Sequence, residues 1–99
     1  MATLGGQVLK VRSKNAGPFW ITIDIFCGSD QAFAAVCARL DTARVAALTG
    51  TPLQLVERFE IADLNVIKLS IPRPVVQGSR DDSDMHGAAL AVLLDEMDI

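Results

Sequence analysis

A chain of 99 residues is enough for one domain, spanning residues 1–99, with a single modest core. Its formal net charge of −3 excludes a nucleic-acid binder, which needs a basic surface to displace counterions from phosphates. A hydrophobic content of 51% and a mean hydropathy of +0.34 are high for this size, so part of the apolar surface is expected to bury against a partner or a second copy.

The charge is uneven. Residues 1–77 carry eight cations and six anions, whereas residues 78–99 carry one cation, Arg80, and six anions. Cys27 and Cys37 fit no C-x-x-C spacing and sit in apolar surroundings, so they read as reduced, buried thiols. The N-terminus lacks a basic region followed by an apolar run, and no apolar stretch approaches membrane-spanning length. The expectation is a cytoplasmic protein with no membrane partner.

In chain order, Gly5-Gly6 precedes a first strand expected over Gln7 to Arg12. A polar loop, Arg12-Ser-Lys-Asn-Ala-Gly-Pro-Phe-Trp20, follows, broken by Gly17-Pro18. Phe19 to Cys27 is the clearest strand. Phe19, Ile21, Ile23, Ile25 and Cys27 share one face, with Trp20, Thr22, Asp24 and Phe26 on the other. Asp24 predicts that this second face is not fully buried, and the short loop predicts a hairpin.

Ser29 is placed to cap a helix carrying the apolar stripe Phe33, Val36, Cys37 and Leu40. Asp41-Thr42 breaks it and caps a second helix over Ala43 to Leu48, which Gly50 ends. Thr51-Pro-Leu-Gln54 has a capping-box pattern long enough only for a short turn. Val56 to Ile61 reads as strand, Ala62 to Asn65 as turn, and Val66 to Ile71 as strand, stopped by Pro72-Arg-Pro74. For the tail, helical spacing of Leu90, Leu93, Leu94 and Met97 competes with an edge strand. The reading adopted is a short helix near His86 to Ala91 followed by a terminal strand. The order gives an α+β sandwich with helices on one sheet face.

Three stretches carry candidate chemistry. In the Arg12–Trp20 loop, Lys14 and Arg12 supply charge while Ser13 and Asn15 could orient a carboxylate or thioester oxygen; solvated hairpin cations are the plainer alternative. Arg73, fixed between two prolines, suits a carboxylate clamp or is simply a surface strand terminator. Asp82, Asp84 and His86 alternate, so an extended backbone would project all three to one side as an acid/base or divalent-metal cluster; a solvated acidic loop is the competing account. Leu93 stands where a calcium loop needs its closing Glu. With one His and no Tyr, a complete active site on this chain is not expected, and no intrinsic cofactor is implied.

The stretches "VRSKNAGPFWITIDIF", "NVIKLSIPRP" and Gly78 to Gly87 resemble a family of about one hundred residues catalogued as a domain of unknown function. The resemblance covers Val11 to Ile99, with "RSKNAGPF" and "IPRP" its most specific parts. The chain is also similar to the small C-terminal, ferredoxin-fold domain of acyclic terpene utilisation (AtuA-like) proteins, where a "SGDKGD" loop stands at Arg12 to Gly17. The resemblance implies a ferredoxin-like sandwich of four to five strands, mixed or antiparallel, with two helices on one face. It further implies a small subunit that docks on a large AtuA-like partner, the pair acting as a hydratase or lyase on an organic acid or its CoA thioester. In that setting Arg12, Ser13, Lys14, Asn15 and Arg73 would bind substrate, and Asp82, Asp84 and His86 would supply acid/base chemistry or hold a divalent metal. Competing readings are a non-catalytic assembly module and a homo-oligomer that binds an organic anion.

Overall fold

The computed structural model describes residues 3–17, 19–72 and 89–99. Eight elements follow one another: α1 (Leu4–Gln7), β1 (Lys10–Asn15), β2 (Trp20–Phe26), α2 (Asp30–Arg39), α3 (Thr42–Thr49), β3 (Glu57–Ile61), β4 (Val66–Pro72) and α4 (Ala89–Asp95), with single 3-10 turns at Leu53–Leu55 and Ala62–Leu64. The strands form one antiparallel sheet in the order β1-β2-β4-β3. The layers are those of the expected α+β sandwich, with α2 and α3 as its two main helices and αββααββα as its element order.

Alternation along the two central strands builds the core. Ile21, Ile23 and Ile25 on β2 meet Ile71, Leu69 and Ile67 on β4 across the same face, and all six are buried. Val36 of α2 and Leu40 just after its end, Val45 of α3 and Leu94 of α4 pack into that layer, with Phe33 and Cys37 partly buried against it. The expected α2 stripe is thus the one used. The caps are those the sequence offers: Ser29 Oγ accepts from the Ala32 N–H at 3.1 Å, and Asp41 Oδ1 from the Ala43 N–H at 2.9 Å. Gly50 closes α3 in the left-handed region, at φ +69°.

The ends of the chain depart from expectation. Instead of a strand from Gln7, residues Leu4–Gln7 form one helical turn capped by Thr3, whose Oγ1 accepts from the Gly6 N–H at 3.1 Å. Leu4 is completely buried and its N–H bonds the Met97 carbonyl at 2.7 Å, so tertiary anchoring overrides the two glycines. The first strand therefore begins three residues later and runs on past Arg12 to take in Ser13 to Asn15, which were expected in the loop. The connection between Asn15 and Trp20 is correspondingly short, with Gly17 in the left-handed region at φ +77°. Phe19, expected on the buried face, is exposed in this connection.

The short turn after α3 forms at Leu53–Leu55, yet no capping box does: Thr51 Oγ1 instead pairs with Thr49 Oγ1 at 3.0 Å. At the C-terminus the helix runs to Asp95, and the anticipated terminal strand shrinks to an isolated bridge between Asp98 and Thr3. Leu94 and Met97, three residues apart, are both buried; a helix and the turn after it bring them to one side, as an alternating strand would not. Among the described residues no helix is long and apolar enough to cross a membrane. Both cysteines are free thiols, Cys27 buried and Cys37 half-buried.

Candidate functional site

The helices cover one face of the sheet. Its other face is built by the alternate residues of each strand, and the register assigns them row by row. Arg12, Asp24, Lys68 and Phe59 lie opposite one another across β1, β2, β4 and β3; Lys14, Thr22, Ser70 and Glu57 form the row on one side, and Lys10, Phe26, Val66 and Ile61 the row on the other. Trp20, 38% exposed, stands opposite Pro72 at the end of the same face. The expectation that the Trp20, Thr22, Asp24 and Phe26 face is incompletely buried holds.

Charge is concentrated here. This face carries Lys10, Arg12, Lys14 and Lys68 against Asp24 and Glu57, four cations to two anions, on a chain whose net charge is −3. Asp24 is the central anion, its carboxylate 4.0 Å from Lys68 Nζ and 18% exposed. Arg12 lies directly across from it on the neighbouring strand. Arg12, Ser13, Lys14, Asp24 and Phe26 line a cleft of about 150 Å³. Arg12 and Lys14 are exposed, and among the described residues neither lies in an ion pair, so the cleft presents two cations to solvent.

The strand geometry divides the expected loop residues. Arg12 and Lys14 are brought together on the open face. Ser13 and Asn15, opposite Ile23 and Ile21, belong to the helix-covered face. There the Ser13 hydroxyl accepts the Ala91 N–H of α4 at 3.0 Å, satisfying one of the donors that a helix start leaves free. The remaining candidates, Arg73, Asp82, Asp84 and His86, lie outside the described residues. No three His, Cys, Asp or Glu side chains among the described residues are placed to hold a metal ion.

Two residues of the site escaped the sequence reading. In the sequence Asp24 signals only partial burial of its face, and Lys68 is one residue within the strand expected over Val66 to Ile71. Neither could be joined to Arg12 without the β1-β2-β4 register. Thr22 lies in the adjoining row, and its hydroxyl is buried with no hydrogen-bond partner. Chemically, the cleft is equipped to bind an anion, with the Arg12 guanidinium and Lys14 ammonium, unpaired among the described residues, as donors and the Phe26 side chain as an apolar wall.

A different polar cluster lies under the helix layer. Arg58 of β3 donates through Nη1 to the Leu40 carbonyl at 2.6 Å and to Thr42 Oγ1 at 3.0 Å, and through Nη2 to the Cys37 carbonyl at 3.0 Å. Its Nε and Nη2 also meet Glu60 Oε2, at 3.0 and 2.7 Å. This side chain closes the C-terminus of α2 and joins it to the start of α3, a structural rather than a binding role. Burial pushes the Cys27 and Cys37 thiols above their ordinary range; for Cys37 the Glu60 carboxylate adds to the rise and Arg58 opposes it.

Among curated proteins and among solved structures no significant match is found. The family comparison agrees with the resemblance of the motifs to a domain of unknown function, and it spans β1 and β2, which line the cleft, and every other strand and helix except the first residue of α1. Matched over residues 5–98, this chain belongs to the family described as Domain of unknown function (DUF4387).

Proposed function

We propose that the chain is the small subunit of a heteromeric AtuA-like hydratase or lyase acting on an organic acid or its CoA thioester, and that its open sheet face binds the anionic part of that substrate. The observation that carries this reading is the excess of cations on one face of an acidic protein, with Arg12 and Lys14 lining a cleft and unpaired among the described residues. A solvated charge pattern needs no such segregation. A carboxylate or phosphate ligand does, because converging charged donors offset the cost of desolvating it. The choice of partner and reaction class rests on the resemblance of the chain to the small C-terminal domain of AtuA-like proteins, in which a "SGDKGD" loop stands at Arg12 to Gly17.

The test is reconstitution with a large AtuA-like protein, followed by assays on hydroxy acids and their CoA esters. Arg12→Ala and Lys14→Ala should each raise KM about tenfold or more, as expected for losing a charged hydrogen bond of about 1.5–3 kcal/mol, with the complex intact. Absence of a complex, or kinetics indifferent to both substitutions, refutes it. The exposed Phe19 and Trp20 at the hairpin end favour a second reading, a non-catalytic docking module. Under that reading Trp20→Ala abolishes assembly while the two cation variants change nothing.

A further inference from the structure

Strand β3 ends the sheet, and among the described residues nothing pairs with its outer edge. A row of free backbone donors and acceptors is a template for another strand. The chain around this edge also exposes Leu53, Leu55, Phe59, Ile61 and Leu64. We propose that β3 pairs antiparallel with β3 of a second copy, about a two-fold axis at Phe59, joining two four-stranded sheets into one.

Charge selects both the occupant and the register. A two-fold axis perpendicular to the sheet keeps each face on its own side, so directly opposed residues must share a face and the axis must fall on a residue. With the axis at Arg58, that arginine would face its own copy; with the axis at Glu60, two carboxylates would oppose each other. Both arrangements put like charges directly opposite, which is destabilising. At Phe59 the sequence Glu57-Arg-Phe-Glu-Ile61 is self-complementary. Arg58 of each copy faces Glu60 of the other, and the two Phe59 rings meet at the axis, with Ile61 diagonal to the opposite ring.

Arg58 and Glu60 are prepared for this. They already pair at 2.7 Å within one chain, and Arg58 is held by the Leu40 and Cys37 carbonyls. The second copy therefore meets a fixed guanidinium, 18% exposed and with its N–H donors already engaged, beside a carboxylate 45% exposed; the complementarity across the joint is one of charge placement, four charges of alternating sign, and not of new hydrogen bonds. The Arg12 and Lys14 cleft lies at the opposite end of the sheet, so both clefts stay open at the outer ends of the joined sheet. The inference does not depend on what they bind.

The experiment uses the full chain alone. Sedimentation across a concentration series should show the mass rising from 10.6 kDa toward twice that value. Phe59, 49% exposed, can be changed with little effect on the core. Phe59→Lys places two ammonium groups at the axis and should hold the protein monomeric at every concentration, with an unchanged circular dichroism spectrum. On oxidation Phe59→Cys should cross-link through its introduced thiols, since directly opposed strand residues lie within disulfide reach. Ile61→Cys, opposite Glu57, should not. A parent protein monomeric throughout, a Phe59→Lys variant that dimerises like the parent, or cross-linking by Ile61→Cys as efficient as by Phe59→Cys each overturns the proposal.

Discussion

Replacing Arg58 with Met tests where the helix layer draws its stability. Methionine keeps much of the unbranched apolar stem and removes the guanidinium. The Cys37 and Leu40 carbonyls at the end of α2 lose their side-chain donors, Thr42 loses a partner, and Glu60 loses its counter-ion. Hydrogen bonds from a charged group contribute about 1.5–3 kcal/mol, and a cation at a helix C-terminus adds about 0.3–1 kcal/mol. The Glu60 pair is half exposed on the acid side and contributes about 0–1 kcal/mol. These overlap rather than add, and a loss of about 2–4 kcal/mol is expected.

Urea unfolding measures it. The midpoint should fall with the slope unchanged, since no surface is newly exposed in the native state. In a thermal scan each kcal/mol lowers Tm by about 4–8 °C for a domain of this size. Arg58→Lys should recover only part of the loss, because a single ammonium lacks the fork that reaches both carbonyls. Glu60→Gln separates the terms and should cost less than about 1 kcal/mol. A Glu60→Gln loss equal to that of Arg58→Met would refute the reasoning, placing the energy in the ion pair and not in the bridge between α2 and α3.

Ser13→Ala removes the acceptor of the Ala91 N–H and should destabilise by about 1 kcal/mol, the usual size of a lost cap; hydrogen exchange at Ala91 should accelerate while anion binding at the cleft is unchanged. Thr22→Val deletes a buried hydroxyl that bonds nothing, so urea unfolding should show stability unchanged or raised by about 1 kcal/mol. Both thiols have folded-state pKa values raised above the ordinary 9.0, so the neutral form is favoured by folding. Their contribution is fully present below that value and is lost as pH climbs through the folded-state pKa. A pH series of melts should show stability falling on the alkaline side, and Cys27→Ala/Cys37→Ala should flatten that fall.

What the sequence disclosed depended on how local the signal was. The period-two runs of β2 and β4, the Ser29 and Asp41 caps and Gly50 are decided by neighbours within a turn or a strand, and they stand where the residues place them. Leu4 was illegible because its helical turn exists for a contact with Met97 at the other end of the chain. The same holds for Arg12 to Asn15. Their polar composition reads as loop, but pairing with Ile21 to Asp24 turns it into an edge strand, splitting Arg12 and Lys14 from Ser13 and Asn15. The Arg12, Asp24 and Lys68 row belongs to three strands, and no single stretch contains it. Arg58 carries no local signal for a similar reason, as most of its partners lie at the end of α2 and the start of α3.

Cations on β1 have a second physical explanation, since lysine and arginine on an edge strand discourage edge-to-edge pairing. The two roles make different demands. Edge protection needs charge of either sign, whereas anion binding needs positive charge beside Asp24. Arg12→Glu/Lys14→Glu therefore keeps the edge guarded and reverses the field of the cleft, turning a face of four cations and two anions into one of two and four. The doubly substituted protein should remain as soluble and as stable as the parent to within about 1 kcal/mol, because both side chains are exposed. Binding of a dicarboxylate or of coenzyme A, followed by calorimetry at low salt, should vanish, and in the parent it should weaken steeply as salt is added. If the parent binds such anions and the glutamate variant binds them equally well, the cations on β1 guard the edge and nothing more.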